Sequence, residues 1–236
     1  MEFAGRSVVL TGVGREGQVG EAVAQAFAER GARVFLVDHT EANVRARADA
    51  LVSRGLRAAS LAADLTDTAA VSTLAERVRE ATAGRLHALV HLAGGFATSG
   101  PVAESDLAVW QRQFAMNATT AYLTARAFVP LLRGAKGSVV FFASEAVLPG
   151  ARTSNVSAYV ASKSAVVALM HSIAQEERAH GVRANAVAPT TIRTADNVAA
   201  MGADTPMVTR EAVADVVLWL CSDASRAVSG QTIPVR

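Results

Sequence analysis

Along this chain short apolar runs alternate with amphipathic ones, and that alternation leaves few folds open. Ser7 to Leu10, Arg33 to Val37, Arg57 to Ala62, Ala88 to Leu92, Ser138 to Ala143 and Ala184 to Ala188 read as strands buried on both faces. Helical periodicity fills the gaps. Gly20 to Arg30 sets Val23, Ala26 and Phe27 on one face, with Gly31 as a stop. A helix starts near Glu41, and Asp67 can cap one running to about Ala83. Ser105 opens one reaching Leu132, Ser157 opens one to about His180, and Glu211 begins the last. Gln231 to Val235 adds a final strand. Strands joined through helices require right-handed crossovers, hence a mostly parallel sheet of about seven strands covered on both faces. The expected fold is a doubly wound α/β domain.

Nothing resembling a linker divides the 236 residues, so one domain spanning 1–236 is expected. Ala195 to Met207 lacks strong periodicity and reads as a loop or short substrate lid. Formal net charge is only +2 with the basic residues scattered, which points away from nucleic acid and membranes and toward a small-molecule partner. Cys221 stands alone and cannot form a disulfide within the chain, as suits a reducing compartment. A strand beginning at Ser7 leaves no room for a signal peptide, and no apolar run approaches the roughly 18 residues of a membrane span. The cytoplasm is the expected location. His39, His91, His171 and His180 join no Cys or carboxylate at metal-ligand spacing, so no metal site is expected.

Tyr159 and Lys163 share one face of an expected helix, in Ser157-Ala158-Tyr159-Val160-Ala161-Ser162-Lys163. A phenol titrates near ~10, too high for proton transfer at neutral pH, and a neighbouring ammonium lowers it by favouring the phenolate. The pair is a candidate acid–base site, with an ordinary helix surface as the plain alternative. Ser144, at the end of the preceding strand, either stabilises charge on a substrate oxygen or closes a turn. Asn117 reads by itself as a helix-interior amide bonded to backbone. Glu145 either faces substrate or is a solvated loop carboxylate, and Phe96, Leu148, Met201 and Met207 either line an apolar pocket or belong to the core.

The first strand runs through Thr11-Gly12-Val13-Gly14-Arg15-Glu16-Gly17-Gln18-Val19-Gly20 straight into a helix. Glycines let the backbone turn sharply and approach a pyrophosphate, and a helix start offers free N–H groups and partial positive charge. Gly12, Gly17 and Gly20 are the candidates, with Arg15 and Val19 beside them; a tight strand-to-helix turn is the alternative. Asp38 ends the second strand, where a carboxylate can bond the adenosine ribose hydroxyls and repel a 2′-phosphate, which favours NAD. It can instead cap the helix that follows. An Arg15 that reached the 2′ position would offset the repulsion and keep NADP possible.

In this order, the glycine-rich turn, the acidic end of the second strand, Ser144 and Tyr159-x-x-x-Lys163 resemble the short-chain dehydrogenase/reductase family over nearly the whole chain. The resemblance implies a Rossmann-type fold and NAD(P)-dependent oxidoreduction. It sets Asp64 and Leu65, in Ala63-Asp64-Leu65, beside the adenine, and runs Ala93-Gly94, in His91-Leu92-Ala93-Gly94-Gly95, along the cofactor. Asn117 matches the family's catalytic asparagine. Pro189-Thr190-Thr191-Ile192-Arg193-Thr194 resembles the segment that holds the nicotinamide carboxamide, through the Ile192 backbone and the Thr194 hydroxyl, and Ser229-Gly230-Gln231 also fits. The implied reaction passes hydride from nicotinamide C4 to a small or medium carbonyl while Tyr159 donates a proton to the developing alkoxide; oxidation of a secondary alcohol is the reverse. Lys163 would lower the Tyr159 pKa and bond the nicotinamide ribose, Ser144 would bind the carbonyl oxygen, and Asn117 would hold a water linking Lys163 to solvent.

The chain also departs from the family. Its glycine loop carries two residues more than Thr-Gly-x-x-x-Gly-x-Gly, with Gln18 at the middle glycine. Leu92 stands for the usual asparagine and Thr190 for the usual glycine, and the interval from Ser144 to Tyr159 is longer than is common. A second reading follows from these changes, a catalytically weak NAD(P)-binding regulatory protein that retains the fold. A third, an epimerase or dehydratase that recycles bound NAD, needs more substrate domain than the segment after Thr194 allows. Family members commonly form homodimers or homotetramers through the two long helices, here Ser105 to Leu132 and Ser157 to His180.

Overall fold

Each apolar run becomes a strand: β1 (Ser7–Thr11), β2 (Arg33–Asp38), β3 (Ala58–Ala62), β4 (Ala88–His91), β5 (Ser138–Phe142), β6 (Arg183–Pro189) and β7 (Thr232–Val235). The structure is a computed structural model covering residues 1–236. The strands form one seven-stranded sheet in the order β3-β2-β1-β4-β5-β6-β7, with every neighbouring pair parallel. Parallel pairing forces each connection back across a face of the sheet, and the amphipathic segments make those crossings. On one face α1 (Val19–Glu29), α2 (Glu41–Val52) and α8 (Arg210–Cys221) pack Phe27, Val44 and Val217 against Val8, Leu10 and Val140. On the other, α3 (Thr68–Thr82), α5 (Thr120–Arg133) and α6 (Ser157–Glu176) pack Leu74, Phe128 and Met170 against Val9, Leu89 and Val139. Successive strand residues therefore feed opposite cores, which is why the strands read as unbroken apolar runs.

Three helices differ from expectation. The Asp106 carboxylate, not Ser105, caps α4 (Leu107–Gln113), accepting from the Ala108 N–H at 2.8 Å; the Ser105 hydroxyl donates to the Val102 carbonyl instead. That helix is not continuous to Leu132, because Phe114–Thr119 forms a π-helical turn between α4 and α5. The helix opened by Ser157 stops at Glu176, and a separate short turn, Arg178–His180, closes on Gly181 in the left-handed region (φ +73°). Within the stretch expected as loop or lid, Ala195–Met201 forms a short helix, α7, capped by the Thr194 hydroxyl. No helix is long and apolar enough to cross a membrane.

Chain order reverses between β1 and β4, and a crevice opens there at the carboxyl ends of the strands.

Candidate active site

Close backbone approach builds this crevice. Gly12 has φ +76°, and a Cβ there would stand 2.8 Å from the Ala93 nitrogen, so only glycine lets the β1 turn pass the end of β4. A Cβ on Gly20 would stand 2.7 Å from the Gly12 carbonyl oxygen, so α1 starts hard against the same loop. The resulting cavity, about 700 Å³, is lined among others by Gly12, Arg15, Val19, Asp38, Asp64, Leu65, Ala93 and Gly94. Its cradle shape and the α1 start, which no side chain caps, fit a dinucleotide phosphate. At its acidic end, Asp38 Oδ1 accepts from the Thr40 N–H at 3.2 Å and lies 3.1 Å from His39 Nδ1. The side chain is 13% exposed, so the carboxylate closes a turn and borders the cavity together. Asp64 accepts from the Thr66 hydroxyl (2.7 Å) and N–H (2.8 Å), and these bonds hold its carboxyl below the usual range.

Two glycine-loop residues sit elsewhere than the motif suggested. Gly17 does not line the cavity; a Cβ there would meet the Ala195 Cβ at 3.4 Å, toward α7. Gly14, absent from the sequence candidates, is the close neighbour of Asp38, since a Cβ would stand 2.5 Å from its carboxyl carbon. The Arg15 guanidinium meets Asp196 of α7 at 2.5 Å. Arg112 of α4 also lines the cavity, as do His39, Asn43 and Met116. The glycine spacing was a usable signal for Gly14; no motif marks Arg112, which the π turn and sheet order bring into place.

The proton-transfer candidates gather beside the cavity floor. A Cβ on Gly94 would stand 2.5 Å from Asn117 Oδ1 and 3.2 Å from Lys163 Nζ, so Gly94 is shared by the cavity and by both side chains. Asn117 lies in the π turn, a distortion that often marks functional positions. Its Nδ2 donates to the Gly95 carbonyl (3.0 Å), Ser162 Oγ (3.0 Å) and Gln113 Oε1 (3.2 Å), and its Oδ1 accepts from the Gly95 N–H at 2.9 Å. The amide therefore clamps the Gly94–Gly95 backbone. Lys163 Nζ donates to the Phe142 carbonyl at 2.8 Å, and burial lowers its pKa to about 8.

The expected tuning of Tyr159 by Lys163 needs correcting. Burial pushes the phenol above its ordinary value, and the opposing influence comes from the Ser144 hydroxyl, while the Lys163 ammonium is committed to Phe142. Ser144 combines both of its readings: it lies beside Tyr159, and its Oγ accepts from the Ala146 N–H at 3.2 Å, capping a short turn. The Phe96 ring meets Tyr159 edge-on at 5.0 Å while remaining largely exposed. Glu145 lies 3.7 Å from Arg236.

Behind the floor runs a buried chain of hydrogen bonds whose direction can be assigned. The Ala93 N–H donates to Thr11 Oγ1 (3.3 Å), and because the Thr120 hydroxyl spends its proton on the Met116 carbonyl, the neutral His91 ring carries its proton on Nε2 and accepts from the Thr11 hydroxyl at Nδ1 (3.0 Å). His91 Nε2–H then donates to Thr120 Oγ1 (3.3 Å), which donates to the Met116 carbonyl (2.7 Å). Burial, and secondarily Lys163, lower the His91 pKa to about 3, so the ring is a neutral link between β1, β4 and the π turn. On the far side, Pro189 ends β6, and Asn197 Nδ2 donates to the Ile192 carbonyl at 2.8 Å. The Thr194 hydroxyl accepts from the Asn197 N–H at 3.2 Å, so it is engaged as the α7 cap.

The family model described as Enoyl-(Acyl carrier protein) reductase matches residues 12–236. A short-chain type dehydrogenase/reductase from Mycobacterium ulcerans superposes with a TM-score of 0.90 at 29% identity, covering 100% of this chain and 90% of that one. The chain belongs to the short-chain dehydrogenase/reductase family. It is 34% identical to 2-(S)-hydroxypropyl-CoM dehydrogenase 3 of Xanthobacter autotrophicus over 97% of this chain and 94% of the relative. Identity to galactitol 2-dehydrogenase of Rhizobium johnstonii is also 34%, over 98% and 93%. The relatives named as dehydrogenases make this chain an oxidoreductase consistent with the CH–OH/C=O couple, in a family that generally binds NAD(P).

Proposed function

We propose that this short-chain dehydrogenase/reductase interconverts a small or medium carbonyl and its secondary alcohol, with Tyr159 as the general acid and base. The observation that carries the reading is the sharing of Gly94 between the dinucleotide cavity and the Asn117–Lys163 pair, which sets proton chemistry against the cofactor floor. Gly12, Arg15, Val19, Asp38, Asp64, Leu65, Ala93 and Gly94 hold the dinucleotide, with Pro189, Ile192 and Thr194 on the α7 side. When bound, it supplies or accepts the hydride. Ser144 bonds the substrate oxygen and stabilises charge where it develops. Tyr159, held protonated by burial, donates to that oxygen in reduction and takes the proton back in oxidation. Lys163 and Asn117 position the floor, and Lys163 can bond the nicotinamide ribose.

The Asp38 carboxylate favours NAD over NADP, because it repels a 2′-phosphate while Arg15 is engaged by Asp196. Residues 195–207 serve as a short substrate lid within one domain spanning 1–236. The protein acts in the cytoplasm, as a homodimer or homotetramer formed through α4, α5 and α6, where Leu107, Trp110 and Tyr122 are exposed.

Calorimetry with NAD and NADP on the wild type and Asp38→Ala, followed by alcohol and ketone panels on Tyr159→Phe, tests the reading. NAD should bind more tightly than NADP and lose that preference in Asp38→Ala. Tyr159→Phe should lower turnover by about 10²–10⁴-fold with binding retained. Binding without turnover in the wild type would favour a regulatory protein instead, and failure to bind either dinucleotide would sink both readings.

A further inference from the structure

At the other end of the sheet, where the strands begin, five chain segments enclose a groove of about 1170 Å³. They are the residues before β1, His87 just before β4, the turn between α5 and β5, the C-terminal end of α6 with the turn into β6, and the loop between α8 and β7. Arg6, Lys136, Arg178, Arg183 and Arg226 line it against one carboxylate, Asp223. The whole chain has a formal net charge of only +2, so the groove gathers more positive charge than the molecule carries and the remainder is net negative. A concave wall with one sign of charge focuses the field on an incoming anion.

Local contacts fix these cations, and only Arg6 is paired with a carboxylate. Arg6 takes Asp223 at 2.5 Å. The half-buried Arg183 donates to the carbonyls of Leu220 (2.8 Å), Val228 (3.1 Å) and Ser222 (3.3 Å), which hold the guanidinium but leave its charge. Glu177, the carboxylate next to Arg178, is already engaged by Arg133 at 2.6 Å. Lys136 lies along Gly181, where a Cβ would stand 3.2 Å from Lys136 Cγ, so glycine makes room for the lysine stem. His87 Nδ1 accepts from the Ser7 N–H at 3.0 Å, which assigns the ring proton to Nε2 and supplies a neutral donor. Burial, then the charges of Arg6 and Arg85, lower the pKa of that ring.

Guanidinium forks around an exposed ammonium are the donor set that matches phosphate oxygens. No Phe, Tyr or Trp lines the groove to stack on a base, and half of the remaining wall residues are alanines and glycines. We propose that this groove binds a compact, multiply phosphorylated small molecule at a site separate from the dinucleotide crevice.

Titration calorimetry with tripolyphosphate on the full chain tests this, with citrate as a polyanion lacking phosphate. Polyphosphate can also enter the dinucleotide crevice, so an Arg15→Ala/Arg112→Ala variant controls for that route. Wild type and this control should bind tripolyphosphate alike, while Lys136→Ala/Arg178→Ala, altered at the groove surface and unchanged in circular dichroism, should bind at least roughly tenfold more weakly. Three results would overturn the assignment: no saturable binding by the wild type, loss of binding in the crevice variant but not the groove variant, or citrate binding as tight as tripolyphosphate.

Discussion

The Lys163 ammonium sits in the core with one carbonyl for company, and burial opposes its charge. Its pKa falls from 10.5 in the unfolded chain to about 8 in the folded one. Below about pH 8 both states hold the proton and the cost of the buried charge is constant. Between about 8 and 10.5 the unfolded chain keeps the proton and the folded chain sheds it, so stability rises with pH through that window. In unfolding measurements the wild type should gain about 3 kcal/mol relative to Lys163→Met from pH 7 to 10.5, and a flat difference would refute the buried charge. A glycine pair separates backbone conformation from crowding in the same residue-level terms. Gly5 and Gly12 share φ +76°, but a Cβ at Gly5 meets nothing within 4 Å whereas one at Gly12 meets Ala93. Gly5→Ala should cost about 1 kcal/mol in chemical denaturation, the price of a left-handed alanine alone. Gly12→Ala should cost about 2–4 kcal/mol and also abolish dinucleotide binding.

Among the elements, the α4–π–α5 segment carries the most information. An uninterrupted helix would set Asn117 a fraction of a turn away from Gly95; the π turn aims its amide at that backbone. Helical periodicity around Leu107 to Leu132 could reveal a helix but not this one local change of pitch. The capping difference is testable: Asp106→Ala should cost about 1 kcal/mol in thermal unfolding, while Ser105→Ala should stay within about 0.5 kcal/mol. Equal effects would move the cap back to Ser105. The contact between the glycine loop and α7 is of another kind. Arg15 and Asp196 are both largely exposed, and such pairs contribute about 0–1 kcal/mol, so this one orients the short helix without locking it.

Across the molecule, the sheet is shared by two cores of similar size, one under α1, α2 and α8 and the other under α3, α5 and α6. Each core has one face of the sheet, and neither has a sheet of its own to retain if the other is lost. Phe27→Ala and Phe128→Ala, on opposite faces and both fully buried, should each cost about 3–5 kcal/mol and lower the same single calorimetric transition. A split transition in either variant would mean that the layers unfold separately.

The sequence by itself determined the architecture, because burial on both faces leaves an unbroken apolar run and a crossover leaves helical periodicity, and both are local patterns. Gly12 and the Tyr159–Lys163 spacing were legible for the same reason: a positive φ and a helical repeat are properties of a few adjacent residues. Only the tertiary structure decided how those residues are tuned. Burial of Lys163 and Tyr159 depends on strands and helices distant in the chain, as does the link from Thr11 to His91 across 80 residues. The basic residues make the point most plainly. Arg6, Lys136, Arg178, Arg183 and Arg226 are dispersed in the sequence, yet all lie near the N-terminal ends of strands or beside the loop into β7. A parallel sheet brings those ends to one edge, and what reads as scattered charge becomes a single groove.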